Sequence, residues 1–497
     1  QIVAGNLNAG LTQPSAPGYL AWLAGLGFPT TPSSYPIVDI VDDGFDNGSA
    51  SSPANSEFRE LNSGAQPSRV QYANIASGAS GISSPNAVAG HGNINCSIVG
   101  GYNDGAGTPA NEDSAGYNYG LGVSPYGRIA STKIFTDGGA WGYPTESTMV
   151  NAQFAAGTRI SSNSWGASTS GDYDTDCQAY DGWTRDAQSG TAGHQQMLFV
   201  FAAGNDGPSS STVGSPGTAK NVLCVGASEN YNAIGTDGCG VTDTSANSAQ
   251  DIVGFSSRGP CGDSRVKPDI VAPGSHIMGA ASYDPAYDGT GVCTQYSPSG
   301  QTKYAESSGT SHSTPALAGC ASLVYNFLGR VHSIGAPSPA LLKGYLLHAG
   351  RHLTGVSAGD NLPSNSQGYG LVDLGLAFSE AAPRVMVDQT VVFGDPGQTH
   401  SVNGTIAAAA EPFRVALVWT DPPGATSGNA YVNNLDLQVT IDGVLYRGNN
   451  FSLGSSVSGG SADVRNNAEC VFLPAGTTGN VTVTVVATGL GGDGVPG

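Results

Sequence analysis

The chain has 497 residues, more than one ordinary domain, so two domains are expected. Charged residues make up 11% of it, against about 25% in typical soluble domains, and glycine, at 73 residues, has about twice its usual share. The 38 acidic and 18 basic residues leave a net charge of −20, which argues against a nucleic-acid partner, and no run of 18 apolar residues offers a membrane span.

Scattered Asp residues in a chain this poor in Lys and Arg suit turns and calcium sites. The sequence opens at Gln1 with neither Met nor an apolar signal segment and reads as a mature, processed chain. Eight cysteines are too sparse for a dense disulfide framework. Cys224, in an apolar strand, and Cys320, in a helix, read as buried thiols. Cys239 and Cys261 flank the strand 252–255 in Gly- and Asp-rich loops and are the expected disulfide. Cys96, Cys177, Cys293 and Cys470 stay unassigned.

In chain order, strands are expected near 37–41, 129–134, 158–163, 197–203, 221–226 and 269–272. They alternate with helix-compatible stretches near 91–101, 144–156, 176–190, 311–328 and 339–349. Apolar strands without polar alternation belong in a parallel sheet covered on both faces, so residues 1–381 are expected to form an α/β domain. After Ala382-Pro383 no helical period survives. Residues 387–393, 413–419, 435–441 and 480–486 alternate as half-buried strands separated by Gly, Pro, Asn and Asp, which predicts a small all-β sandwich over 382–497. The Gly-rich tail from Thr488 to Gly497 is too poor in side chains for a central strand. An unpaired edge beside 480–486, a lost final strand and a longer natural product are therefore expected.

Four segments carry candidate chemistry. Ile37–Gly44 is an apolar strand that ends on the carboxylates Asp42 and Asp43. Gly90-His91-Gly92 sets a histidine at a loop-to-helix junction. Phe199–Gly207 is a buried strand ending at Asn205. Ser308-Gly309-Thr310-Ser311-His312-Ser313-Thr314-Pro315 places Ser311 at a helix N-terminus, where free N–H groups favour developing negative charge. Pro315 is tolerated in a first helical turn. Three of them have other readings too: a capped helix at Ser311, a turn-fixing amide at Asn205, and Asp39, Asp43 or Asp46 in the place of Asp42.

The order Asp, His, Asn, Ser resembles that of the subtilisin-like serine proteases over roughly residues 35–380. Phe255–Pro260 and Arg265–Gly274 resemble further segments of that family. The resemblance implies a triad of Asp42, His91 and Ser311, with Asn205 and the Ser311 N–H as oxyanion donors. Asp42 is preferred because the family places its carboxylate two residues before the glycine. Ser164-Trp165-Gly166 matches the substrate-pairing segment, although Trp165 reads equally as a core aromatic. Ala202, Ala203 and Gly204 would line the primary specificity pocket, and Gly214 its base, leaving room for large apolar or aromatic residues. The Ser215–Pro216 bond is expected to be cis. His312 departs from the family, which usually has Met after the nucleophile.

The C-terminal strands, with Trp419–Pro422, Asn433–Leu437 and Arg465–Glu469, are similar to the jelly-roll domain of larger bacterial subtilases. Asp421, Asp436, Asn467 and Glu469 are its candidate calcium ligands. The resemblance implies a secreted, monomeric, calcium-stabilised serine endopeptidase acting on polypeptides. Two alternatives are a catalytically inactive binding protein and a sandwich that targets collagen or polysaccharide; the few aromatics there favour a stabilising sandwich.

Overall fold

The computed structural model describes residues 18–492. Among these the parallel strands are β1 (Ile37–Asp42), β2 (Val70–Ile75), β3 (Arg128–Lys133), β4 (Thr158–Asn163), β5 (Leu198–Ala202), β6 (Leu223–Ser228) and β7 (Ile270–Pro273). A hairpin, β8 (Ile277–Ala280) with β9 (Tyr304–Ser307), follows, and then the short pair β10 (Gly350–Arg351) and β11 (Leu371–Val372). The helices are α1 (Tyr19–Gly25), α2 (His91–Gly100), α3 (Glu146–Ala155), α4 (Thr175–Arg185), α5 (Thr310–His332), α6 (Pro339–His348) and α7 (Leu374–Phe378). The main sheet has nine strands in the order β10-β11-β7-β6-β5-β4-β1-β3-β2, parallel except for β10.

Both faces of the sheet are covered, which explains the continuous apolar runs. In β5, Leu198 and Val200 join the cluster built around α5, while Phe199 and Phe201 join Val150 of α3 and Tyr180 of α4. The period of two sends successive side chains into opposite layers. The strand order reverses where β1 sits between β3 and β4, so loops leaving the carboxyl ends of β1, β4 and β5 open around one crevice.

The C-terminal part is antiparallel: β12 (Thr399–Thr405), β13 (Phe413–Val418), β14 (Asn434–Ile441), β15 (Val444–Ser452), β16 (Ser455–Ser458), β17 (Ala468–Leu473) and β18 (Asn480–Gly489). Five strands pair as β12-β18-β14-β15-β16, and β13 pairs with β17. Strand β17 is buried along its whole length. Its Val471 and Leu473 pack with Leu437 and Val439 inside the sandwich, whereas Cys470 and Phe472 belong to the same core as α5 and α6. With its partner β13, whose Ala416 and Val418 face one core and Val415 and Leu417 the other, it fuses the two cores.

Three expectations are corrected. Residues 387–393 form no strand: Val387 and Val392 are exposed, no ladder partner faces them, and Asp388 accepts from Ser338 N and Oγ at the start of α6 (3.0 and 2.6 Å). The strand at 480–486 has no free edge, because β12 and β14 pair with β18 on its two sides. The disulfide joins Cys239 to Cys293, not to Cys261. Cys261 is a buried free thiol, and the loops carrying Cys239 and Cys293 meet with their Cα atoms 4.9 Å apart. Tail residues 493–497 lie outside the described residues.

The fused core also buries an ion pair. Lys220 Nζ donates to Asp421 Oδ2 (2.7 Å) and to the Ala430 (2.8 Å) and Pro422 carbonyls, with both charged side chains fully buried. Asp181 Oδ2, also fully buried, stands 3.8 Å from Lys220 Nζ, so removing Asp421 leaves the ammonium with only this more distant carboxylate in a low-dielectric core. Asp421→Ala should therefore lower stability by about 3–5 kcal/mol in urea unfolding followed by circular dichroism. A loss below about 1 kcal/mol would show the pair to be solvated.

Candidate active site

The crevice collects the motif residues. Asp42 closes β1, His91 opens α2 and Ser311 is the second residue of α5. His91 Nδ1 lies 2.7 Å from Asp42 Oδ1. A carboxylate only accepts, so Nδ1 carries a proton, and in the neutral imidazole the lone pair is on Nε2. Asp43 N donates to the same Asp42 oxygen (2.8 Å).

Asp43 has its own task. Its carboxylate accepts from the His91 and Gly92 N–H groups (3.0 and 2.6 Å), free donors at the start of α2. Gly92 is required by space: a Cβ there would lie 2.5 Å from Gly44 O and 3.0 Å from Asp42 Cβ. Asp39 and Asp46 are committed elsewhere. Asp39 accepts from Tyr72, Thr132 and Gln153, and Asp46 from Ala54, Asn55 and Tyr283.

Electrostatics set the imidazole apart. Burial opposes its charged form, but the Asp42 carboxylate and its hydrogen bond, helped by Asp43, push the His91 pKa up to about 9. Burial, then the Asp42 charge, raises Asp43 to about 6. His312 goes the other way: desolvation and then His91 hold it well below the ordinary histidine value.

Ser311 Oγ donates to Ser164 O at 3.4 Å, and Ser164 Oγ donates to Ser311 O at 2.7 Å, which docks the end of β4 on the start of α5. Ser311 Oγ is turned to Ser164 O rather than to His91, and catalytic hydrogen bonds of this kind commonly tighten only in the substrate complex. Asn205 Oδ1 accepts from Thr310 N (2.9 Å) and Thr310 Oγ1 (3.0 Å). These two donors fix the amide orientation and leave Nδ2 as the free donor. A Cβ on Gly309 would lie 3.5 Å from Asn205 Nδ2 and 3.6 Å from Ser311 N. A side chain there would stand between the two expected oxyanion donors.

The pocket segments also converge. Ala167 and Ser215 exchange backbone hydrogen bonds (2.8 and 2.9 Å), and Gly214 N donates to Ala203 O (3.0 Å). This brings Gly166, Ala202–Gly204 and Gly214 together, and the Ser215–Pro216 bond is cis. The Trp165 side chain packs against Trp141, Phe201 and Tyr180, so its ring is a core aromatic.

The candidate calcium ligands have protein partners of their own. Asp421 is held by Lys220 and by the Val432 and Asn433 N–H groups (2.9 and 2.8 Å). Asp436 accepts from Asn434 and Thr488, and Glu469 from Leu437 N. The Asn467 amide donates to Asn221 and Trp419 O. Asp421 is thus committed to a lysine, whereas Glu469 Oε1 is buried without a hydrogen-bond partner, and burial, with the Asp463 and Asp436 charges, pushes its carboxyl up to about 9. Among the described residues the buried trio Asp237, His276 and Glu306 clusters within 4.8 Å. Each His276 ring nitrogen has a backbone carbonyl within hydrogen-bond distance (Asn232 at 2.8 Å, Val241 at 3.1 Å).

Residues 33–370 match the profile of the Subtilase family, about two thirds of the chain. The chain belongs to the subtilase family. Among curated relatives it is 40% identical to the serine protease AprX of Bacillus subtilis over 128 residues, 26% of each chain. It is 30% identical over 257 residues to the serine protease/ABC transporter B family protein tagA of Dictyostelium discoideum, covering 48% of this chain and 14% of that one. The matches thus span about a quarter or less of these relatives' length. Among solved structures, the prenylagaramide maturation protease PagA is similar at 20% identity and a TM-score of 0.45, covering 73% of this chain and 97% of that one. Sphericase is similar at 21% identity and a TM-score of 0.42, covering 68% and 93%.

Thr310 and Asn95 escaped the sequence reading. Thr310 adjoins the serine; Asn95 stands four residues after His91, on the same helix face.

Only a neutral imidazole can accept a proton. With the His91 pKa at about 9, kcat/KM on a peptide substrate should climb with pH and reach half its maximum near pH 9. A profile already flat from pH 7 upward would contradict the His91–Asp42 electrostatics.

Proposed function

We propose that this chain is a secreted serine endopeptidase that cleaves polypeptides through an acyl-enzyme, with broad specificity favouring large apolar or aromatic residues. The observation that carries the reading is the 2.7 Å His91–Asp42 contact set against the helix N-terminus that bears Ser311. Family membership supports it.

In this mechanism Ser311 Oγ attacks the scissile carbonyl while its proton passes to His91 Nε2. The imidazolium that forms lies against Asp42. The carbonyl oxygen, now an anion, is met by the Ser311 N–H and Asn205 Nδ2. His91 then protonates the leaving amine, and water, activated by the same imidazole, releases the acyl group. An extended peptide would pair with the backbone at Ser164–Gly166, and Gly214 leaves the pocket floor without a side chain. Among the described residues no helix is long and apolar enough to cross a membrane. A monomer is sufficient, since all the groups invoked come from one chain. The subtilase family commonly carries structural calcium, but no step here uses it and no ligands are assigned.

The Ser311 Oγ–Ser164 O contact is the one feature that would suit an inactive binding protein. Substitution separates the two readings. Ser311→Ala should leave a folded protein with turnover down about 10⁶-fold, a magnitude carried over from subtilisin. Asn205→Ala should cost about 10²–10³-fold in kcat, carried over likewise. Normal peptidase activity in Ser311→Ala would overturn the assignment.

A further inference from the structure

The residue after the nucleophile is buried and has a defined partner. His312 Nδ1 lies 2.9 Å from Asn95 Oδ1, and Asn95 Nδ2 lies 2.9 Å from Asp42 Oδ2. All three side chains are buried. The orientation of the Asn95 amide follows from its neighbours: its oxygen cannot face the carboxylate, so its NH₂ does. Its oxygen then needs a donor, and His312 supplies Nδ1–H. Desolvation and the nearby His91 keep His312 neutral, which fits a ring that donates from one nitrogen.

The helix explains how one carboxylate serves both arms. His91 and Asn95 are four residues apart in α2, hence on one face, and each reaches a different Asp42 oxygen. His312 stands in the first turn of α5, next to Ser311, with its ring centroid 5.5 Å from that of His91. The titratable groups facing this chain of contacts are Asp42 on β1, Asp43 on the turn after it, His91 on α2 and His312 on α5.

We propose that Asn95 and His312 are positioning residues: a buried His312–Asn95–Asp42 chain holds the carboxylate by the oxygen that His91 does not use and ties the nucleophile helix to the helix bearing the base. This rests on Asp42, His91 and Ser311 being the triad. Removing the Asn95 donor leaves more negative charge on Asp42 to attract the His91 proton, so the acid limb of kcat/KM must move to higher pH.

The test compares Asn95→Leu, His312→Leu, His312→Gln and the double Leu variant in the full chain, with active sites counted by a serine-phosphonylating reagent. Asn95→Leu should lose roughly 10- to 100-fold in kcat, the range for a hydrogen bond to a charged group, with KM within about twofold and the acid limb shifted upward. The double variant should be no worse than Asn95→Leu alone, and His312→Gln, which can still donate, should lie within about threefold of the unmodified chain. Singles whose losses multiply in the double, or an unmoved acid limb in Asn95→Leu, would overturn the proposal. If Asn95→Leu does not fold, equal activity of His312→Gln and His312→Leu overturns it. An unmodified chain that is inactive and takes up no reagent sinks the triad instead; an active, fully titrating chain indifferent to these substitutions sinks only the positioning role.

Discussion

A carboxylate buried at the end of a central strand has to be surrounded by donors, and much of this crevice is arranged around that need at Asp42. Its oxygens take hydrogen bonds from the Asp43 N–H, His91 Nδ1 and Asn95 Nδ2. Each donor belongs to an element that the sheet and its helices hold rigidly. Asp43 continues the strand, while His91 and Asn95 share a helix whose start Asp43 caps. The helix that bears Ser311 is drawn in through His312, and the far wall through Ser164 and Asn205. The site is therefore a junction of β1, β4, β5, α2 and α5 at the reversal of strand order, and its geometry is a property of the core rather than of a mobile loop.

The C-terminal sheets extend that rigidity. Strand β17 presents alternate residues to two cores, and Lys220 with Asp421 closes the seam with a fully buried ion pair. Asp269 does similar work at the back of the sheet, where Lys267 and Lys343 hold it at 2.7 and 2.9 Å and Cys224 N donates to it. Loss of either partner in such a pair leaves a buried charge with less compensation.

What was legible in the sequence was local. The apolar runs of β1, β3–β7 and the small-residue helix α5 announce a doubly covered parallel sheet, and the four motifs place Asp42, His91, Asn205 and Ser311 at its carboxyl edge. Illegible features depended on partners far along the chain. The polar strand β12 (Thr399–Thr405) is ordered by pairing with β18, while the better alternation at 387–393 finds no partner. Asp421 looks like a calcium ligand until Lys220, 201 residues away, occupies it. Cys239 meets Cys293 because the loop before β9 folds back over it, which spacing alone does not reveal. His312 stood out only as an oddity; its meaning required Asn95, which lies 217 residues upstream.

The central claim is that Ser311, and no other hydroxyl, is made nucleophilic by this junction. Reaction of the full chain with a serine-phosphonylating reagent, followed by peptide mass spectrometry, tests it most directly. The account predicts one adduct per chain, on Ser311, formed in step with complete loss of peptidase activity. An adduct on another residue, or full activity with Ser311 modified, would contradict it.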